Sequence, residues 1–121
     1  MANIFRADCG FDPENSKRFK SITAGEISAA EGMDLNGFTN MTADLSGEAG
    51  DVTISKFVNM VNGKQYMIVA TNSGSTQNGI VFPEGTLTYG TVTKANGMTV
   101  VYTFFTTGET VYCNQAIYAA V

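Results

Sequence analysis

The chain has 121 residues, of which 44% are hydrophobic and 15% are charged, and its formal net charge is −4. This length suits one domain that buries its own core without disulfides or metals, and the composition excludes an intrinsically disordered chain. Because soluble domains carry about a quarter charged residues, the low charge predicts that part of the surface contacts protein. The seven basic residues cluster only at 17–20, which argues against a nucleic-acid groove.

The first 24 residues predict an extended anchoring arm. Phe5, Phe11 and Phe19 are separated by polar and turn-forming residues. Burying one Phe side chain stabilises a contact by about 1.5–3 kcal/mol, so three of them would hold the arm on a neighbouring protein. The segment has no apolar stretch typical of a signal peptide, and no run is long enough for a membrane span. We therefore expect a cytoplasmic protein with no membrane partner, whose Cys9 and Cys113 are reduced, buried thiols.

The rest of the chain, residues 25–121, predicts a β domain. A short segment at 25–34 carries the only helical periodicity, whereas strand-forming residues dominate from about Thr39 onward. A last strand is expected within 110–121. The predicted fold class is all-β, a small antiparallel sandwich or barrel-like domain with an extended N-terminal arm.

Two Asn-Gly pairs predict tight hairpins, because these residues tolerate the positive φ angles of a type I′ turn. The hairpins would pair residues 53–61 with 64–71 and residues 87–95 with 98–105. In the second hairpin, Tyr89 would lie opposite Phe104 and Val92 opposite Val101. Gly90 in mid-strand predicts a bulge or a close approach of another backbone.

Both hairpins carry apolar residues on both faces, unlike a sheet with one face in water. This pattern predicts either a sandwich or barrel, or a sheet with one face against a partner. The same alternatives apply to the tyrosines of the predicted strands, for which core packing is favoured over partner docking. These are Tyr66, Tyr89, Tyr102, Tyr112 and Tyr118.

Residue types that perform chemistry are scarce. The chain has no His, which removes the usual general base and the Ser-His and Cys-His nucleophile pairs. Nothing in the sequence raises the pKa of one carboxyl in a glycosidase-like pair, and there is no Trp platform for a sugar. We expect no enzyme activity, no cofactor and no catalytic residue.

The loop at 44–51 is the only candidate for a metal. Asp44, Glu48 and Asp51, with Ser46, have oxygen atoms of the kind that calcium prefers. Their spacing does not match an EF-hand, so a solvated acidic turn is the favoured interpretation and no metal residue is assigned. Whether this loop binds calcium is left open by the sequence.

The opening segment resembles the first residues of some structural proteins of short-tailed bacteriophages. The resemblance lies in residues 4–12 (IFRADCGFD), followed by Asn15 and Lys17. It implies that this segment anchors a variable body to the virion, with Arg6, Cys9, Phe11 and Asp12 at the matching positions. It does not distinguish the head from the tail.

These observations favour a capsid decoration (cement) protein that binds and stabilises the outer surface of a phage head. The arm would bind through Phe5, Arg6, Phe11, Asp12 and Phe19. Its expected partners are the major capsid protein and copies of itself, and its location is the virion, assembled in the host cytoplasm. One alternative is a tail or fibre-adaptor component. Another is a soluble carbohydrate- or ligand-binding β module.

Overall fold

A computed structural model describes residues 18–73, 78–90 and 97–119, and within them the chain is nearly all β. The strands of the described residues are β1 (Phe19–Ile22), β2 (Met33–Asp34), β3 (Asn40–Asp44), β4 (Val52–Thr53), β5 (Phe57–Val58), β6 (Tyr66–Asn72), β7 (Ile80–Val81), β8 (Leu87–Tyr89), β9 (Met98–Thr106) and β10 (Val111–Tyr118), and the helical turn is α1 (Ala24–Ile27). The predicted all-β fold class is confirmed, and so is a last strand after residue 110.

One mixed sheet of six strands dominates, in the order β1-β3-β6-β9-β10-β8. The pairs β1–β3, β3–β6 and β10–β8 are parallel, whereas β6–β9 and β9–β10 are antiparallel. Two small parallel sheets, β2–β5 and β4–β7, complete the described structure.

The parallel strands give the first half of the domain a solenoid-like course. The chain leaves β1, passes through β2 and returns to β3, and it leaves β3 and returns to β6 through β4 and β5. Each return places the new strand beside the previous one, with Phe19 opposite Asn40 and Asn40 opposite Met67. The arrangement therefore differs from the expected antiparallel sandwich or barrel, because among the described residues antiparallel pairing is confined to the ladders of β9 and the sheet has two edge strands, β1 and β8.

The first predicted hairpin is wrong, although the chain does turn at Asn62-Gly63, where the N–H of Lys64 donates to the carbonyl of Val61 across 3.3 Å. Gly63 has a φ of 76°, but Asn62 lacks the positive φ of the predicted type I′ turn, and the N–H of Gly63 donates to the carbonyl of Thr106 across 2.9 Å. However, β5 pairs with β2, and β6 pairs with β3 and β9. The turn therefore forms a corner between two sheets, because a positive φ serves any sharp change of direction.

The second predicted hairpin is also wrong. β8 pairs in parallel with β10, so Tyr89 lies opposite Asn114, whereas Phe104 lies opposite Tyr66 and Cys113. Val92 lies outside the described residues. The local turn signal is overridden because β6 and β10 occupy the two sides of β9.

The predicted helix at 25–34 is reduced to one turn. Thr23 Oγ1 accepts from the N–H of Glu26, and Glu26 Oε1 accepts from the N–H of Thr23, across 3.1 and 3.0 Å. This capping box satisfies two N–H groups at the start of α1, those of Thr23 and Glu26. The chain then turns at Gly32, whose φ is 114°, and Met33 enters β2. α1 therefore contains Gly25 and ends at Ile27, before Gly32 is reached.

The core lies between one face of the six-stranded sheet and the two small sheets. Its centre is Phe104, which stacks on Tyr66 and Phe57 with ring centroids 5.6 and 5.1 Å apart. The ring of Phe82 packs against Phe104 in an edge-to-face arrangement, with centroids 5.2 Å apart. Ile22 of β1 is also buried here, so the last residues of the predicted arm belong to the sheet.

Candidate functional site: the outer face of the sheet

The six-stranded sheet has one buried face and one face that no described element covers. Along β9, Tyr102 and Phe104 are buried, whereas Val101, Thr103 and Phe105 are half-buried and point the opposite way. The ladder registers extend this alternation across the sheet. We call the second side the outer face.

The registers place eighteen side chains on the outer face. They are Phe19, Ser21, Asn40, Thr42, Asp44, Met67, Val69, Thr71, Leu87, Tyr89, Thr99, Val101, Thr103, Phe105, Tyr112, Asn114, Ala116 and Tyr118. Only Asp44 among them is charged. A water-facing sheet side normally carries many more charges, so this composition is typical of a surface that contacts protein or another uncharged partner.

One row of the outer face crosses the whole sheet. It runs from Phe19 on β1 to Tyr89 on β8, through Asn40, Met67, Thr103 and Asn114. Its two ends are aromatic and exposed, at 50% for Phe19 and 78% for Tyr89. The predicted arm residue Phe19 therefore lies on the same surface as the tyrosines of the far edge.

An aromatic groove lies at the β8 end of the outer face. Phe105 and Tyr112 stack with centroids 5.3 Å apart and an angle of 15° between the rings. With Leu87 and Tyr89 they line a cavity of about 400 Å³, to which Asn114 adds an amide group. The other lining residues are Gln65, Thr88, Thr103 and Cys113. None of the lining residues is charged, so the groove favours neutral ligands.

The single carboxylate of the outer face lies at its margin. Asp44 ends β3, and its Oδ1 accepts from the N–H of Ser46 across 2.9 Å. Hydrogen bonds from the Ser46 hydroxyl and backbone lower the pKa of this carboxyl below its ordinary value. Ser46 also bonds to the N–H of Ser73, so the carboxylate is tied to the neighbouring loop. The centre of the outer face is left without charge.

The acidic loop at 44–51 does not gather its carboxylates. Asp44 binds Ser46, whereas Asp51 Oδ1 accepts from the N–H of Gly79 across 3.0 Å. Within 18–73, 78–90 and 97–119, no three Asp, Glu, Cys or His side chains are close enough to hold a metal ion. The carboxylates of Asp44 and Asp51 instead accept hydrogen bonds from backbone N–H groups.

The candidate arm residues are placed only in part. Phe19 lies on the outer face, whereas Phe5, Arg6, Phe11 and Asp12 lie outside the described residues.

The tyrosines divide between the two sides of the sheet. Tyr66 and Tyr102 are core residues, each 1% exposed, while Tyr89, Tyr112 and Tyr118 lie on the outer face. The sequence did not identify Phe105 or Val101 as surface residues. The alternation along β9 carries that signal, but only once the register of the sheet is known.

Cys113 is a free thiol in the core. Burial raises its pKa to about 12, so it stays protonated and unreactive at neutral pH. The prediction of a buried structural thiol is confirmed for Cys113, while Cys9 lies outside the described residues.

Comparison of the chain with protein-family models, with curated proteins and with solved structures gives no significant match. In the part of the chain that the structure describes, no helix has the length and apolar character needed to cross a membrane.

Proposed function

We propose that this chain is a non-enzymatic structural protein of a virion, a cement protein that binds the outer surface of a phage head and stabilises it. The observation that carries the proposal is the outer face, eighteen side chains with one charge at the margin. A sheet side of this extent with a single charge supports a role in assembly, because covering it with a protein lowers the free energy of its apolar surface. The resemblance of residues 4–12 to virion proteins of short-tailed phages supports a phage particle as the assembly in which the protein takes part.

In the proposed mechanism, the N-terminal arm and the β body bind different partners. The N-terminal arm docks on the major capsid protein through Phe5, Arg6, Phe11 and Asp12, with Phe19 at the junction to the body. The β body meets copies of itself and so bridges neighbouring capsomers. Binding to the assembled lattice in preference to free subunits stabilises the shell by mass action.

Co-sedimentation tests this function directly. The purified chain is mixed with expanded, undecorated phage heads, and free capsid subunits serve as the control. We expect saturable binding to heads alone, and we expect a variant that lacks residues 1–17 to stay in the supernatant. A folded wild-type protein that does not bind phage heads would overturn the proposal. Full binding by the truncated variant would overturn the docking role of the arm.

Copy number separates this proposal from a tail or fibre-adaptor component. A cement protein covers the lattice and is present in hundreds of copies per virion, whereas a tail component follows the symmetry of the tail and is present in about a dozen or fewer. Quantitative mass spectrometry of purified virions measures the ratio of this chain to the major capsid protein. A ratio near that of tail components would favour the adaptor.

The aromatic groove favours a second candidate, a carbohydrate-binding module. The stacked rings of Phe105 and Tyr112 offer a flat apolar surface. The amides of Gln65 and Asn114 line the same groove and offer neutral hydrogen-bonding groups. The volume of about 400 Å³ lies in the range of small-ligand sites. Saturation-transfer NMR against a panel of neutral oligosaccharides tests it. Signals that vanish in Tyr112→Ala but persist in Tyr118→Ala would support this candidate.

A further inference from the structure

We propose that the outer face is the interface between two copies of this chain, which pack sheet against sheet. This inference deepens the proposed function by naming the surface through which the body meets its copies. It is tested without phage heads, so it stands or fails separately from head binding.

The centre of the outer face has the shape that sheet-on-sheet packing needs. Val69, Val101 and Ala116 lie side by side on three adjacent strands, β6, β9 and β10, with Thr42 beside them on β3. These side chains are small or β-branched, and all are half-buried by their neighbours. Facing sheets pack about 10 Å apart with their side chains interdigitated, and short side chains at the centre leave room for those of the facing sheet.

The charge of the outer face favours a second copy. A surface that pairs with itself must not oppose like charges, and here the only charge is Asp44 at the margin. By contrast, the segment 1–17 carries five charged residues and Pro13, so it is a poor match for this flat, neutral surface. A neutral sheet face is complementary to another neutral sheet face.

The size of the outer face also fits a dimer. Six strands about 4.8 Å apart span about 24 Å, and the central strands extend about 25 Å, which gives a projected area on the order of 600 Å². Side chains add accessible surface to this projection. A standard stable interface buries about 800 Å² of accessible surface on each partner, so the outer face with its side chains approaches that size.

Packing two such faces would complete a two-sheet core. In a single chain, the outer-face residues Val101, Met67 and Phe105 are only half-buried. In the dimer these residues become the middle of a sandwich with one six-stranded sheet from each copy. The interface is isologous, with the same residues contributed by both chains.

Sedimentation velocity on the full-length chain, measured over a range of micromolar concentrations, tests this inference. We expect a dimer for the wild type. Val101→Asp places an unpaired carboxylate at the centre of the interface, and we expect it to weaken dimerisation at least tenfold. Val81→Asp is the matched control, because Val81 is a partly exposed strand residue on the small β4–β7 sheet. It should leave the dimer unchanged.

Tyr89→Asp guards against a folding defect. Tyr89 is 78% exposed in the single chain, so the substitution should not disturb the fold, which circular dichroism verifies. We expect it to weaken the dimer as well. A monomeric wild type would overturn the inference. So would a dimer that tolerates Val101→Asp and Tyr89→Asp but dissociates on deletion of residues 1–17 or with Val81→Asp.

Head binding distinguishes the two proposals. A wild-type dimer that fails to bind heads would leave the interface in place and overturn the cement function. A monomer that binds heads, and loses binding with Tyr89→Asp, would assign the outer face to the capsid and overturn the interface between copies.

Discussion

The phenolic oxygen of Tyr102 accepts a hydrogen bond from the backbone N–H of Ile80 across 3.0 Å, inside the core. Tyr102 belongs to β9 of the large sheet, whereas Ile80 opens β7 of a small sheet. The bond therefore joins the two layers that enclose the core. It satisfies a buried backbone donor at the start of β7 that would otherwise lack a partner.

Removal of the Tyr102 hydroxyl should destabilise the protein. In Tyr102→Phe the N–H of Ile80 stays buried without its acceptor, which costs about 1–3 kcal/mol. Urea denaturation followed by circular dichroism measures the free energy of unfolding. Tyr112→Phe is the control, since Tyr112 lies on the outer face, and it should change stability by less than about 0.5 kcal/mol. Equal losses in the two variants would contradict the assigned role of the bond.

Two adjacent phenylalanines of β9 should differ sharply in their contribution to stability. Phe104 is fully buried between Tyr66 and Phe57, whereas Phe105 faces outward onto Tyr112. Phe104→Ala opens a cavity in the core and should cost about 3–5 kcal/mol. Phe105→Ala should cost less than half of that in the monomer. Thermal unfolding of both variants at low protein concentration compares them, and a larger loss for Phe105→Ala would reverse the assignment of the two faces.

Gly90 should not tolerate a side chain. Its φ is 93°, and a Cβ atom at this position would collide with the backbone carbonyl of Gln115. Gly90→Ala is therefore expected to cost about 1–3 kcal/mol through backbone strain and to loosen β8 from β10. Gly47→Ala is the matched control, because open space surrounds Gly47. Hydrogen exchange of the β8 amides measures the loosening. Protection equal to that of the wild type would show that the close contact between Gly90 and Gln115 does not control the pairing of β8 with β10.

The thiol of Cys113 should be inaccessible to reagents in the folded protein. Its ionisation should also lower the free energy of unfolding at alkaline pH. Burial raises its pKa to about 12, above the value of about 8.5 in an unfolded chain. The unfolded state therefore loses this proton first, so the stabilisation is complete below about pH 8.5 and declines as the pH rises towards 12. Burial raises the pKa of Tyr102 as well, which adds to the decline.

Denaturant titrations between pH 8 and 11 check this prediction, with Cys113→Ala as the comparison. Both proteins retain the burial of Tyr102, which is the main cause of its raised pKa, so the wild type should lose stability more steeply than the variant. Parallel slopes would contradict the role of the thiol. Native-state labelling with a maleimide should leave Cys113 unmodified at pH 7 until denaturant is added.

Several features of the protein follow from short-range properties of the sequence. The abundance of Thr, Val, Ile and aromatic residues after residue 39 is a local preference, and it predicted the all-β class. Gly90 was identified as a site of close approach because a glycine within a strand pattern typically marks a bulge or a neighbouring backbone. The buried state of Cys113 was expected because free Cys is among the residue types most often buried. These properties depend on neighbouring residues alone.

The tertiary structure decided which strands pair and therefore which residues form a surface. The Asn-Gly turn at 62–63 was identified, yet it joins strands of two different sheets, because a turn fixes the local direction of the chain and not the partner of the next strand. Parallel pairing links residues more than twenty positions apart, and no local pattern records the register. Since side chains alternate along a strand, the register alone determines that Tyr66 and Tyr102 fill the core while Tyr89, Tyr112 and Tyr118 lie on the outer face.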